Sequence, residues 1–286
     1  MIAYVSDIMT TEIHTIDFYA GVCKAERMMD QKDIGCLPVF RDGKLAGVIT
    51  SKDVRKCHPN RIVADAMTKK VISVTPKTSL WRAKQKLEKY DVERLLVLDD
   101  NHLLGIITQS DLYMELGKYV DLLTGLYRSD YIYHQAMELI KLEYNISIIF
   151  LDINNFGHID KKFGHTQGDM ILKEIGKVLQ KHIPKDTYLC RFGGDEFVIL
   201  APFDSDASNR LTTKLLGIVS THPFYNNISV TASAGIASSN QDIITTQPSL
   251  ATVAKLINDA SLASTKAKKE KLDVIIADGD IGSITA

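Results

Sequence analysis

The 286-residue sequence predicts a mixed α/β (α+β) chain in two parts, a tandem pair of small repeats followed by one larger domain. Three observations carry this. The length is about twice that of a typical domain, enough for two cores. Sliding the sequence by 58 positions superimposes residues 5–54 on residues 63–112 without a gap. Beyond residue 121 the repeat stops, and long helical patterns alternate with short apolar runs of buried-strand character.

Composition narrows the class. With 45% hydrophobic and 24% charged residues the chain is globular. A formal net charge of -1 leaves no basic body of the kind that coats DNA, RNA or an anionic membrane, so none of these is an expected partner. Cys23, Cys36, Cys57 and Cys190 are scattered, with no C-x-x-C pair and no zinc spacing, which fits a reduced cytoplasm. No secretory leader and no apolar run of the ~20 residues that a membrane helix needs is visible, so the expected location is cytoplasmic.

The repeats, residues 1–57 and 58–116, read alike. Val5/Val63, Asp7/Asp65, Met9/Met67, Thr10/Thr68, Gly47/Gly105, Ile49/Ile107 and Asp53/Asp111 are among the identical pairs. Each repeat opens on a helix with apolar residues at i, i+3 and i+4 spacing, Val22, Ala25, Met28 and Met29 in the first, Leu80, Ala83 and Leu87 in the second. Two short apolar runs follow, 37–40 and 45–50 around Asp42-Gly43, then 95–98 and 103–108 around Asp100-Asn101, a hairpin signal. Thr50-x-x-Asp53 and Thr108-x-x-Asp111 then read as helix capping boxes. A unit this small needs a neighbour to complete a core. Residues 117–128 join the two parts. Only Gly117 interrupts the apolar spacing from Asp111 to Leu123, so a helix-like connector is expected.

In the second part, residues 144–151 form a strand that runs into Asp152, and α/β sheets place ligands beyond the carboxyl ends of such strands. Gly168-Asp169 opens a helix. Residues 188–200 form a strand pair around Gly193-Gly194, where bare backbone lets a ligand approach. Asp195 and Glu196 follow immediately and can face a metal-bound phosphate. A strand over 228–237 and a helix over 253–269 complete the pattern. By residue type alone, a Gly-Gly-Asp-Glu turn is a hairpin and Asp152 can cap the loop after it.

Residues 1–116 resemble a tandem pair of cystathionine-β-synthase (CBS) domains, a Bateman module. The motifs are Asp-Ile-Met-Thr and Asp-Ala-Met-Thr at the starts, Leu-Pro-Val before the first hairpin, and Gly-Val-Ile-Thr-Ser-Lys-Asp and Gly-Ile-Ile-Thr-Gln-Ser-Asp at the ends. The resemblance implies an adenine nucleotide between the copies, with Asp53 and Asp111 on the ribose and Thr50 and Thr108 near the phosphates. The alternative is that these residues only cap helices and the pair is a dimerisation scaffold.

Residues 121–286 resemble a GGDEF domain, the catalytic module of diguanylate cyclases. Gly193-Gly-Asp-Glu-Phe197 is accompanied by Leu123-Thr-Gly-Leu126, Asp152-Ile-Asn-Asn-Phe156, Gly164-His165-Thr-Gln-Gly168-Asp169 and Ala267-Lys268. The resemblance implies a five-stranded, antiparallel-containing sheet flanked by helices, like the polymerase palm and the adenylyl cyclases. It implies condensation of two GTP into cyclic di-GMP and two pyrophosphates by a homodimer. Two Mg²⁺ per GTP site, with Mn²⁺ as a substitute, would be held by Asp152, Asp195 and the Ile153 carbonyl. Asp195 would be the base for the 3′-hydroxyl, with Glu196 beside it. Gly193, Gly194, Asp160, His165, Asp169, Leu172 and Lys268 would bind GTP: Asp169 on the guanine N1–H and 2-amino group, Leu172 packed on the base, Lys268 on the β/γ-phosphates.

Three positions depart from that family's pattern. Gly157 replaces a Lys, Asp160 an Asn that reads guanine, and Leu272 an Arg. The rival reading is therefore a degenerate domain that binds GTP and signals as a nucleotide sensor. A third reading, a cyclase for another nucleotide, conflicts with the guanine pattern at Asp169. The family's Arg-x-x-Asp product-inhibition site is replaced by Pro184-Lys-Asp-Thr187, so product feedback there is not expected. Nucleotide binding to the CBS pair is expected to regulate the cyclase.

Overall fold

The computed structural model describes residues 3–239 and 249–277, so the expected outer boundaries at residues 1 and 286 lie outside the described residues. The chain divides into two compact units, Ala3–Lys118 and a second containing Tyr119–Ala286.

The first unit holds two three-stranded sheets, ordered β1-β2-β3 and β4-β5-β6. The first copy comprises β1 (Ile16–Asp17), α1 (Val22–Lys32), β2 (Cys36–Arg41), β3 (Lys44–Thr50) and α2 (Ser51–Lys56). After α3 (Val63–Ala66), the second comprises β4 (Ser73–Val74), α4 (Leu80–Tyr90), β5 (Arg94–Asp99), β6 (His102–Thr108) and α5 (Gln109–Gly117). Both helix–hairpin patterns are as the sequence predicts. α1 and α4 bury their apolar stripes and end on Asp33 and Asp91, both left-handed, a conformation Asp tolerates at a helix end. Asp42 and Gly43, and likewise Asp100 and Asn101, have positive φ at both turn positions, the twist a two-residue hairpin needs.

The repeats are interlocked in space. Val63 and Met67, which begin the second copy in sequence, lie in the core of the first. Thr68 bridges to Val48 and Thr10 to Ile106. A Cβ at Gly105 would strike the Met9 sulfur at 2.8 Å, and one at Gly47 would strike the Thr68 carbonyl at 2.6 Å. Each copy thus lends its opening Met-Thr to the other's second long strand, which is why neither completes a core alone.

The helix-like connector expected through Leu123 is shorter. α5 stops at Gly117 and residues 119–128 form a closed turn instead, with Val120 bridged to Tyr127. The Asp121 amide donates to the Leu126 carbonyl at 2.8 Å, its carboxylate accepts from the Thr124 amide, and Gly125 takes φ +75. Asp side chains that bond their own downstream backbone favour turns over helix.

The second unit is one five-stranded sheet, ordered β11-β10-β7-β9-β8. In chain order its elements are α6 (Ser129–Lys141), β7 (Ser147–Ile153), α7 (Phe156–Phe163), α8 (His165–His182), β8 (Tyr188–Gly193), β9 (Glu196–Ala201), α9 (Ser205–Thr221), β10 (Ala232–Ser238), α10 (Leu250–Glu270) and β11 (Val274–Ile276). Pairing is antiparallel except between β10 and β11. Along central β7, Ile149, Leu151 and Ile153 enter the core under α8 and α9, while Ile148 and Phe150 enter the opposite core under α6 and α10. The period of two, apolar on both faces, marks a strand covered on both sides. β7 starts three residues later than expected and includes Asp152. α8 starts at His165, not at Gly168, because Gly164 at φ +87 breaks the chain between α7 and α8. β10 begins at Ala232, four residues later than expected. No helix among the described residues is long and apolar enough to cross a membrane.

Candidate active site

The site forms where β7 and the β8–β9 hairpin end together. Asp152 pairs in register with Glu196 on β9 and Ser233 on β10. The turn between β8 and β9 is Gly194-Asp195, with Gly194 at φ +44 and both Gly193 and Gly194 exposed. The Ile153 amide donates to the Asp195 carbonyl at 3.4 Å, tying the turn to the strand end. Three carboxylates are thus gathered in a partly buried place. Burial pushes the Asp195 carboxyl above the ordinary range, reinforced by Asp152 and Asp160 and opposed by a backbone hydrogen bond and Lys268. Burial likewise raises Glu196, with Asp152 and Asp195 adding to it.

Lys268 comes from α10. Its ammonium donates to Asp152 Oδ1 at 2.7 Å and to the Ile153 carbonyl at 3.2 Å. Its placement begins on β10, where a Cβ on Gly235 would collide with the Ala260 carbonyl and the Ser264 amide. Backbone-to-backbone approach therefore seats α10 directly on the sheet, the Ser264 hydroxyl donates to the Ser233 carbonyl at 3.3 Å, and Lys268 follows one turn on.

The same oxygens suit a hard divalent ion, and the ammonium already marks them as a cation seat. No three His, Cys, Asp or Glu side chains among the described residues converge to hold a metal by themselves. An ion on Asp152, Asp195 and the Ile153 carbonyl would complete its shell from phosphate or water, the usual habit of Mg²⁺ at phosphate-transfer sites.

The α7–α8 junction supplies a second group. Asp160 Oδ2 lies 3.1 Å from His165 Nδ1, while Asp160 Oδ1 is buried without a hydrogen-bond partner. That oxygen fills the space a side chain at Gly168 would need. Asp169 is exposed on α8. Leu172 is 3% exposed and belongs to the core that holds α8 to the sheet. Gly157 is exposed with open space where a Cβ would stand.

Two residues escaped the sequence argument as site builders. Arg191 Nη1 donates to both carboxylate oxygens of Asp121, at 3.0 and 3.1 Å, while its Nε and Nη2 donate to the Gly194 carbonyl at 2.9 and 2.6 Å. The Gly-Gly turn is thereby tied to the Asp121–Leu126 turn. Burial works to raise the Asp121 carboxyl, but bonds from the Thr124 hydroxyl and amide and from Arg191 outweigh it and hold it below the ordinary range. The available signal was an Arg two positions before Gly193, together with Asp-x-x-Thr at Asp121.

In the first unit, the Thr50 hydroxyl donates to Asp53 Oδ2 at 2.7 Å and accepts from the Asp53 amide at 3.3 Å. Thr108 and Asp111 repeat this at 2.6 and 3.2 Å. Arg94, opposite Thr108 in the β5–β6 register, donates across the repeat boundary to the Gly35 carbonyl at 2.6 Å.

Residues 118–273 match the model of the diguanylate cyclase GGDEF domain, and residues 5–59 and 63–118 each match that of the CBS domain. The chain is 30% identical over 132 residues to diguanylate cyclase DgcS of Shewanella oneidensis, covering 45% of each, so it spans less than half of that relative's length. It is 32% identical over 114 residues to the CBS domain-containing protein YhcV of Bacillus subtilis, covering 38% of this chain and 81% of YhcV. A structure of diguanylate cyclase SiaD with its activator SiaC from Pseudomonas aeruginosa superimposes at a TM-score of 0.51 and 22% identity, over 59% of this chain and 65% of that one, a likeness of fold. With the strand-end acids, the Gly-Gly turn and the interlocked repeats all in place, the chain belongs to the GGDEF-domain family and carries two CBS domains ahead of that domain.

Proposed function

We propose that the chain is a diguanylate cyclase that condenses two GTP into cyclic di-GMP. The observation that carries this reading is the seat formed by Asp152 and the Ile153 carbonyl, already occupied by a cation, at the strand end that also carries Asp195, Glu196 and an exposed Gly-Gly turn. Asp152, Asp195 and the Ile153 carbonyl hold Mg²⁺, or Mn²⁺ in its place. When bound, such ions polarise the phosphate and stabilise the charge on attacking and leaving oxygens. Asp195 accepts the proton of the 3′-hydroxyl. Glu196 adds negative charge beside it. Gly193 and Gly194 let the nucleotide lie against backbone. Asp169 accepts from the guanine N1–H and 2-amino group, Asp160, oriented by His165, accepts from the 2-amino group, and Lys268 pairs with the β/γ-phosphates. Each domain takes one GTP, so two copies face each other as a homodimer. The 3′-oxygen of each nucleotide bonds to the α-phosphorus of the other, and two pyrophosphates leave.

The purified chain incubated with GTP and Mg²⁺ should yield cyclic di-GMP and pyrophosphate in a 1:2 ratio by mass spectrometry. No cyclic dinucleotide at any protein concentration overturns the reading. Two observations favour a second one, a GTP-binding sensor without turnover: position 157 carries no side chain, and one Asp160 oxygen is committed to the Gly168 seat. That reading expects calorimetric GTP binding without pyrophosphate release, and a gain of turnover in the Gly157→Lys, Asp160→Asn variant.

The CBS pair, on this proposal, binds an adenine nucleotide through Asp53 and Asp111 on ribose and Thr50 and Thr108 near phosphate. Binding shifts the population of dimers whose GTP sites face each other.

A further inference from the structure

We propose that Lys268 is a built-in placeholder for the divalent ion, so that the metal and the Lys268 ammonium exclude each other at one seat. The inference rests on the reading of Asp152 and the Ile153 carbonyl as metal ligands. In the chain by itself those two oxygens are already taken: Lys268 Nζ lies 2.7 Å from Asp152 Oδ1 and 3.2 Å from the Ile153 carbonyl. A divalent ion on the same pair of oxygens would sit against the ammonium, and two like charges in so small and partly buried a space repel strongly. One of them has to leave.

The frame decides which part moves. α10 is locked to β10 by the backbone contact at Gly235 and the Ser264–Ser233 bond, so the helix stays in place. The Lys268 side chain is about one-third exposed and long enough to swing out while its helix is fixed. Its ammonium, bonded to Asp152, also offsets the repulsion among Asp152, Asp195 and Glu196, the one basic group among the described residues that does so for both Asp195 and Glu196. Without metal, the lysine therefore keeps the acids together in a folded strand end. With nucleotide, the phosphates offer the ammonium a new partner, the seat opens, and the metal enters. Loading of metal and nucleotide is thereby cooperative, through one side chain that changes partners.

The experiment is a Mn²⁺ titration of the nucleotide-free full-length chain, followed by electron paramagnetic resonance, on wild type, Lys268→Met and Lys269→Met. Lys269 carries the same charge on the exposed side of the same helix and serves as the control for general electrostatics. Loss of a charge-assisted bond on the seat should tighten Mn²⁺ binding by roughly tenfold or more in Lys268→Met, and by less than about twofold in Lys269→Met. In melting curves, metal-free Lys268→Met should unfold at a lower temperature than wild type, and saturating Mn²⁺ should raise its midpoint by more than it raises that of wild type. Lys268→Gln serves if the Met variant does not fold. Equal tightening in the two variants, or none in Lys268→Met while wild type binds Mn²⁺ with GTP, overturns the placeholder and leaves the metal site standing. No Mn²⁺ binding by any variant, with or without GTP, overturns both.

Discussion

Both units place an aspartate at a junction between strand and helix or strand and turn, but the two environments are opposite. In the first unit Asp53 and Asp111 are satisfied within four residues, each bonded to the hydroxyl of the Thr that caps its helix. In the second, Asp152, Asp195 and Glu196 lie near enough to repel one another, and the cation that offsets them comes from a helix 116 residues away. The acids of the first unit strengthen local structure, whereas those of the second are held together against their mutual repulsion by the sheet. Carboxylates kept in that condition gain from any cation that arrives, which is the property a phosphate-handling site requires.

The comparison is broken most severely at Asp195. Asp195→Asn removes the base and a metal ligand and should lower cyclase turnover by about two to four orders of magnitude while leaving the melting temperature equal or higher, since a repelled charge is gone. An unchanged turnover number would move the base elsewhere. Gly235→Ala comes next. Its Cβ collides with the α10 backbone, so the variant should lose about 1–3 kcal/mol in denaturant unfolding and raise the KM for GTP through displacement of Lys268. Full stability in that variant would mean that α10 does not set the lysine.

On the locally satisfied side, Thr108→Ala should cost about 1 kcal/mol of stability through loss of a helix cap, read as a shift in the denaturant midpoint of the full-length chain. Asp111→Ala should in addition weaken adenine-nucleotide binding and uncouple cyclase rate from that nucleotide. If saturating AMP, ADP and ATP leave the full-length rate unaltered, the pair is a scaffold.

The smallest effect is expected from pH, and its sign separates carboxylates within the second unit. Asp195 and Glu196 have raised folded pKa values, so their contribution to stability is present below the ordinary carboxylate pKa and lost as pH rises through the raised values. Asp121 is lowered, so its contribution is present above the ordinary value and lost as pH falls through the depressed one. As pH falls toward the raised carboxylate values, Mn²⁺ affinity should therefore fall while the Asp121–Arg191 tie persists, and Arg191→Ala should leave the direction of the metal profile unchanged. A metal affinity that does not fall on acidification would contradict the crowding at the site.

Much of the molecule was legible because its signals are local. Asp42-Gly43 calls for positive φ at two successive residues, Thr-x-x-Asp closes a cap within one turn, and the apolar alternation through Ile149, Leu151 and Ile153 selects a strand covered on both faces. Each is decided by a few neighbouring residues, so the sequence by itself determined the repeats, the hairpins, the caps and the acids that end β7 and follow the Gly-Gly turn. The two-residue strands β1 and β4 and the short β11 carry too few residues for a pattern, and they exist only because a longer strand offers its edge. The same holds for the exchange of Met9 and Met67 between repeats. Asp121 and Arg191 meet across 70 residues, and Lys268 and Asp152 across 116. Such pairs have no local preference to announce them. The packing of α10 on Gly235, and the Tyr127–Cys190 bridge that seats the 119–128 turn against β8, bring the charges within reach, so the tertiary structure decided which cation neutralises which acid.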